Sequence, residues 1–376
     1  MNTKGLAVLL LGTLLLSCSS PEDSPADPAV DAGVDTQYTF LLGKQGRFSS
    51  MEFDANAIQI KPGSDGITQL PLESPEITYR DGSSFSFLRA LPDCSAEIRY
   101  LGPSGSVVSL DGIFGDDPNC ERQLLSLTHS ENKVFIGYSL PGTEIKEVVY
   151  YINAFSLDKD APPLGEIALE NEPLQLAWSG NRLYVLTYDI ETGKYALEAY
   201  GSSGNPEGKQ DLGTGVLKIL KNPAGQLLIS YQTSHLLVDA ASMEVIGRVL
   251  YEEGKDPGFG NSGSNFFDPS GVLYYAMPTN FSNTSFAHIA GIYDFSKYTA
   301  YLYYFENFLS GELIAQYGIG DTRSVAFDQH NGLLLIGYEK AGTEGEGGLL
   351  RVKPVPEPKF IDQIDLEGVP MHLIVH

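Results

Sequence analysis

The sequence of 376 residues predicts an all-β fold, a seven-bladed β-propeller, and three observations support this. A unit of four short strands recurs roughly every 40 to 50 residues and is clearest at 174–212. The second strand of each unit is a continuous apolar run, such as KVFIGY at 133–138 and GLLLIGY at 332–338. A strand buried on both faces has this composition. Gly, Asn and Pro precede these runs, as in tight hairpins.

Six complete units follow one another along the chain, and each is expected to form one blade. Three further apolar stretches near the start (38–42, 47–54 and 66–72) and one near the end (370–375) remain. We expect these four to form a seventh blade, with the C-terminal strand innermost, because a closed ring leaves no exposed sheet edge. The six units span 76–113, 123–170, 173–213, 216–250, 262–305 and 322–366.

The N-terminus is expected to be a leader rather than part of the fold. Residues 1–17 contain one basic residue and then an apolar run too short to span a bilayer, as in a secretory signal peptide. The run ends in LLSC, which resembles a bacterial lipobox and implies that Cys18 carries lipid and anchors the chain to a membrane. The alternative is an ordinary signal peptide with an incidental cysteine. Residues 18–37 are rich in Ser, Pro and Asp and are predicted to be a disordered tether, which leaves 38–376 as a single propeller domain.

Charge excludes one class of partner. The formal net charge is −24 and becomes −25 without the leader, which holds one base and no acid. A negative field of this size opposes binding to nucleic acid, so we expect no nucleic-acid partner.

Two cysteines beyond Cys18 are expected to form a disulfide. Cys94 lies between the second and third strands of its unit, and Cys120 lies in the link to the next unit. In a propeller, loops between second and third strands and links between blades lie on the same face of the ring, so the two cysteines should be close. Thiols outside the cytoplasm are oxidised. No CxxC motif is present, so we interpret the pair as structural rather than redox-active.

Known catalytic and cofactor motifs are absent from the sequence. GFGNSG at 258–263 has the GxGxxG spacing of dinucleotide sites, but it precedes a strand instead of opening a helix, and we interpret it as a flexible loop. The six histidines have no metal-ligand spacing. We therefore predict no cofactor, no metal and no catalytic residue.

Long loops are predicted to gather on one face of the ring. Loops between second and third strands and links between blades share that face, here called the top face. Its longest insertions are 252–264, 278–288 and 306–323, which are expected to converge and bind a ligand. Aromatic, amide and basic groups there would give contact area and orientation. The alternative is that these loops only pack on one another. The candidate ligand-binding residues are Arg323, Asn265, His288, Phe281, Phe286 and Tyr317.

The lipobox, acidic tether and blade pattern together resemble the β-propeller surface lipoproteins of Bacteroidota. The resemblance implies an outer-membrane location, on the cell surface or the periplasmic side. It also implies a non-catalytic binding module for a small ligand or protein partner, accessory to an outer-membrane transporter. Two alternatives stay open: a propeller hydrolase or lyase of the lactonase kind, and a scaffold for envelope assembly.

Overall fold

The computed structural model describes residues 35–73, 75–115, 117, 119–143, 146–158, 165–280 and 284–376; for 64–72, 143, 146 and 147 it describes the backbone only. These residues form seven four-stranded antiparallel sheets arranged as the blades of a propeller. The predicted fold class is confirmed. The predicted leader, Cys18 and most of the tether lie outside the described residues. Strand β1 begins at Thr36, two residues before the expected start of the domain.

The strands of blades 1 to 4 alternate in direction along the chain. Blade 1 contains β28 (Val369–Val375), β1 (Thr36–Lys44), β2 (Arg47–Ala55) and β3 (Ile60–Glu73), from the inside outward. Blade 2 contains β4 (Ile77–Asp81), β5 (Ser84–Ala90), β6 (Ala96–Leu101) and β7 (Val107–Ile113). Blade 3 contains β8 (Gln123–His129), β9 (Lys133–Thr143), β10 (Lys146–Ser156) and β11 (Glu166–Leu169). Blade 4 contains β12 (Glu172–Ser179), β13 (Arg182–Asp189), β14 (Lys194–Gly201) and β15 (Pro206–Gly213).

Blades 5 to 7 follow the same pattern and carry the helical turns. Blade 5 contains β16 (Val216–Lys221), β17 (Leu227–Tyr231), β18 (Ser234–Val238) and β19 (Val245–Leu250). Blade 6 contains β20 (Asn265–Phe267), β21 (Leu273–Pro278), β22 (His288–Asp294) and β23 (Thr299–Tyr303). Blade 7 contains β24 (Ile319–Asp328), β25 (Leu333–Lys340), β26 (Gly347–Lys353) and β27 (Lys359–Leu366). Two 3₁₀ turns (Phe259–Asn261 and Phe305–Asn307) and helix α1 (Gly311–Tyr317) lie in the links on either side of blade 6.

Both chain ends close the ring within blade 1, as predicted. Strand β28 pairs antiparallel with β1, and Leu373 lies opposite Phe40. Both side chains are buried, and they share one apolar cluster with Leu335 of blade 7. The C-terminal strand therefore seals the junction between the last blade and the first.

The core lies between the blades, which explains why the second strands have no polar face. In β13, Leu183 and Val185 pack against blade 3, whereas Tyr184 and Leu186 pack against blade 5. All four side chains are buried. Successive side chains of a strand point to opposite faces, so a strand between two neighbouring blades needs apolar residues at every position.

A serine, a glycine and a proline form a repeated junction between blades. At the boundary of blades 3 and 4, the Ser126 hydroxyl donates to the Pro173 carbonyl at 2.9 Å. Gly137 lies opposite Ser126, and a Cβ there would overlap the serine Oγ and press on Pro173. The absence of a side chain thus allows the close approach. The same three residue types recur at the boundary of blades 7 and 1, in Ser324, Gly337 and Pro370.

Cys94 and Cys120 are joined by a disulfide, with their Cα atoms 4.6 Å apart. The bond ties the loop after β5 to the link that leads into blade 3. The predicted pairing is therefore present in the structure.

In the ranges that the structure describes, no helix is long and apolar enough to cross a membrane.

Candidate functional site

A cleft of about 990 Å³ lies between blades 5 and 6. Its walls are the end of β19 with the link that follows it, the loop after β21, and the segment 298–304 around β23. Two of the three loops predicted to bind ligand, 252–264 and 278–288, contribute to the lining. The cleft has the size of a typical small-molecule site, and it lies where two blades meet.

The link between blades 5 and 6 packs against blade 5 around a buried 3₁₀ turn. Phe259, inside the GxGxxG sequence, is 1% exposed and forms part of a 3₁₀ turn. Gly260 lies so close to blade 5 that a Cβ would overlap the Ser230 hydroxyl. Gly260 of this motif therefore serves packing between blades. The segment 258–263, expected to be a flexible loop, thus contains a buried 3₁₀ turn.

The second wall, the loop after β21, folds its described aromatic residue inward. Phe286 is buried, and its ring lies 4.7 Å from that of Phe305. The Thr284 hydroxyl donates to Glu306 at 2.8 Å, which ties this loop to the next link. Phe286 consequently has no free face for a ligand, and we correct its assignment as a binding residue. The other candidate in the loop, Phe281, lies outside the described residues.

The cleft surface combines aromatic rings with oxygen-bearing groups. Four tyrosines reach it, of which Tyr298 is 64% exposed. Asp256 also lines it; burial raises the pKa of its carboxyl, and one carboxyl oxygen accepts a hydrogen bond from the Gly258 amide at 2.8 Å. Lys255, the cation of the lining, is paired with Glu252. The other three tyrosines are Tyr251, Tyr293 and Tyr304.

A buried histidine contacts two of the cleft tyrosines. His235 and the Tyr251 hydroxyl form a hydrogen bond, with 2.8 Å between Nδ1 and Oη. The rings of Tyr251, Phe259, Tyr293 and Phe295 surround it. Burial lowers the pKa of His235 to about 4, so the imidazole is neutral at pH 7 and can accept a hydrogen bond from the Tyr251 hydroxyl.

Two of the predicted site residues, Arg323 and His288, meet at Asp321. The Nδ1 atom of His288 lies 2.7 Å from an Asp321 carboxyl oxygen, and its backbone amide donates to the other oxygen. The Arg323 Nε donates to Glu339 at 2.8 Å, and a terminal nitrogen lies 3.7 Å from Asp321. Asp321 and Glu339 are directly opposite on β24 and β25, where two carboxylates repel. Arg323 and His288 offset that repulsion.

The remaining two predicted residues do not join this group. Asn265 donates from its side chain to the Ser262 carbonyl at 3.3 Å, while its buried Oδ1 has no partner among the described residues. Tyr317 ends α1 and packs with its ring 5.8 Å from that of Phe360, on the outer strand of blade 7. The five candidates that the structure describes therefore do not form one site.

Sequence reasoning missed the cleft tyrosines and Asp321. Tyr298 and Tyr304 flank β23, outside the long loops on which the prediction concentrated. Asp321 lies two residues before Arg323 in the same strand, and that spacing was the available signal. In the parts of the chain described by the structure, no group of three His, Cys, Asp or Glu side chains could hold a metal ion.

Comparison with solved structures gives the same fold. A protein of Bacteroides fragilis, provisionally assigned as a 6-phosphogluconolactonase, matches with a TM-score of 0.51 and 14% identity; the match covers 93% of this chain and 100% of that one. A Bacteroides uniformis protein with the same provisional assignment matches with a TM-score of 0.51 and 11% identity, over 91% and 99% of the two chains. No protein-family model matches the sequence, and the search of curated proteins found no match. At these identities the likeness shows the fold alone, a seven-bladed propeller shared with proteins of Bacteroides.

Proposed function

We propose that this protein is a non-catalytic binding module that holds a carbohydrate in the cleft between blades 5 and 6. The observation that carries the proposal is the composition of the cleft, which joins tyrosine faces to hydroxyl and carboxyl groups in about 990 Å³. A sugar presents both apolar C–H faces and many hydroxyls. The rings of Tyr298 and Tyr304 suit packing against the C–H faces, and Asp256 and Thr279 suit hydrogen bonds to the hydroxyls.

Charge favours a neutral ligand over an anionic one. Asp256 and Glu252 are the two acids of the lining, and Lys255 is engaged with Glu252. An anionic ligand would meet an acidic wall within a chain of net charge −24. A neutral glycan meets no such penalty and uses carboxylates as hydrogen-bond acceptors.

The proposed cellular setting is the bacterial outer membrane. Lipid on Cys18 would hold the propeller at the membrane through the tether, on the cell surface or the periplasmic side. From there a glycan in the cleft could be passed to an outer-membrane transporter. This setting rests on the LLSC motif and the acidic segment that follows it.

Glycan binding to the mature chain, with Cys18 replaced to make it soluble, tests the proposal. We expect Tyr298→Ala to weaken binding of a glycan found on an array by tenfold or more, because it removes the most exposed ring. Asp256→Asn should weaken it through loss of a charge-assisted hydrogen bond. Ile190→Ala, at a similarly exposed apolar residue in a turn of blade 4, is the control. Unchanged affinity in both cleft variants would refute the cleft as the site.

A second candidate function is hydrolysis, favoured by the pair of His288 and Asp321. Asp321 receives Nδ1–H, which leaves Nε2 as a possible acceptor for a proton from water, and Arg323 lies beside it. Water activated in this way could attack a lactone carbonyl, and the names of the two Bacteroides proteins make sugar-acid lactones the first substrates to try. Turnover lost in His288→Asn and retained in Tyr298→Ala would replace binding by catalysis as the function. No turnover of any lactone tried would remove this candidate.

A further inference from the structure

The central channel carries two cations that have no acidic partner. The innermost strands of the seven blades line the channel, and β4 and β16 contribute Arg80 and Lys218. In the described chain, neither side chain forms an ion pair with a carboxylate. Both side chains lie inside a protein whose overall charge is strongly negative.

Arg80 reaches across the channel from blade 2 to blades 1 and 6. One terminal nitrogen donates to the Leu373 carbonyl at 2.8 Å, and Nε donates to the Gly82 carbonyl at 2.8 Å. The guanidinium carbon lies 4.6 Å from the ring centre of Phe266 in β20 and 5.2 Å from that of Phe85. These contacts fix the guanidinium in place but do not neutralise its charge.

Lys218 in blade 5 contacts the link that leads into β20 of blade 6. Its ammonium group donates to the Ser262 carbonyl, which also accepts from Asn265 at the start of β20. Phe266, which Arg80 covers, is the next residue of β20. Lys218 and Arg80 therefore contact the same short segment, at Ser262 in the link into β20 and at Phe266 in β20 itself.

The other ionisable groups near the two cations are already accounted for. Lys221, three residues after Lys218, forms an ion pair with Asp81, the residue after Arg80. This pair joins β16 to β4 across the channel. His372 beside Arg80 is neutral, since burial and then the positive charge of Arg80 lower its pKa to about 3. The positive charges of Arg80 and Lys218 thus remain uncompensated.

A half-buried charge with no acid beside it is destabilising, and a bound anion would reduce that cost. Burial lowers the pKa of Arg80 to about 9 and that of Lys218 to about 8, so both stay largely protonated at pH 7. Buried charges in folded proteins are normally paired with an opposite charge. A planar guanidinium and an ammonium together suit an oxyanion, which can accept hydrogen bonds from both.

We infer that the channel binds a small oxyanion, a phosphate or carboxylate group, between Arg80 and Lys218. This site is separate from the cleft, whose acidic lining suits a neutral ligand. The anion would be held by the guanidinium as it lies against Phe266 and by the Lys218 ammonium. It would link blades 2, 5 and 6 across the channel.

Calorimetric titration and thermal unfolding of the mature chain with inorganic phosphate test the inference. We expect phosphate or succinate to bind and to raise Tm above the value in sodium chloride of equal ionic strength. Lys218→Met should weaken binding at least tenfold and raise Tm in the absence of anion, because it removes an unpaired charge but keeps most of the side chain. Lys209→Met, a surface lysine paired with Glu198, is the matched control. Arg80→Lys keeps the charge, loses the planar fork, and should weaken phosphate binding as well.

Several outcomes would overturn the inference. The first is that neither phosphate nor succinate raises Tm above its value in sodium chloride of equal ionic strength. Equal stabilisation of wild type, Lys218→Met and Lys209→Met is another, because it would place the anion elsewhere. If Lys218→Met does not fold, Lys218→Gln provides the same comparison of affinities, and unchanged affinity in that variant contradicts the site.

Discussion

Replacing Leu373 by alanine perturbs the junction at which the chain ends close the ring. The side chain is 1% exposed and lies opposite Phe40, in a cluster that also contains Leu335 and Leu349 of blade 7. The substitution removes three carbons, worth roughly 2 kcal/mol of transfer free energy at about 0.8 kcal/mol per carbon. The cavity adds to this cost because the rings around it are held by neighbouring strands, so we expect a total loss of roughly 2–5 kcal/mol.

Urea unfolding at pH 7, followed by tyrosine fluorescence or circular dichroism, measures this loss. Met371→Ala is the control, since Met371 occupies the same strand but is 36% exposed and should cost less than about 1 kcal/mol. Deleting 370–376 should be more severe and should cause aggregation, because it leaves the apolar faces of β1 and β24 in water. A loss from Leu373→Ala no larger than that from Met371→Ala would refute the closure of the ring by β28.

Three further predictions concern the disulfide, the buried histidines and the anchor. Reducing the bond between Cys94 and Cys120, which closes a loop of 26 residues, should lower the unfolding free energy by about 3–4 kcal/mol; a reduced protein that melts like the oxidised one would contradict this. Burial lowers the pKa of His129 and of His235 to about 4, so below pH 6.5 the unfolded chain binds more protons than the folded one. Stability that is fully present above pH 6.5 should therefore be lost towards pH 4, at about 1.4 kcal/mol per pH unit for each histidine. Unfolding measured between pH 7 and pH 5 should depend less steeply on pH in His235→Phe, and an unchanged slope would count against this origin. Cys18→Ala should move the protein from the membrane fraction to the soluble fraction, and unchanged fractionation would exclude the lipid anchor.

The blade pattern was predictable because it depends on neighbouring residues in the chain. Continuous apolar runs such as Leu183 to Leu186 follow from burial on both faces, and the turn residues before them follow from hairpin geometry. The unmatched strands at the two ends required a partner, and closure was the arrangement that left no edge. The disulfide was predicted because the pattern placed Cys94 and Cys120 on one face.

The candidate site was less predictable because its contacts join distant parts of the sequence. The pattern identified loops 252–264 and 278–288, but it could not decide that Phe259 and Phe286 turn inward. That outcome depends on free space between blades, and a side chain buries its apolar surface wherever such space exists.

By itself, the sequence determined the seven units, their order and the closure of the ring, since these depend on local periodicity and on pairing between adjacent strands. Only the tertiary structure decided which charges are paired. Lys221 meets Asp81 across 140 residues of chain, whereas Arg80 and Lys218 meet no acid among the described residues. Electrostatic pairing depends on distances of a few ångströms between atoms, and those distances are set only when all seven blades surround one channel.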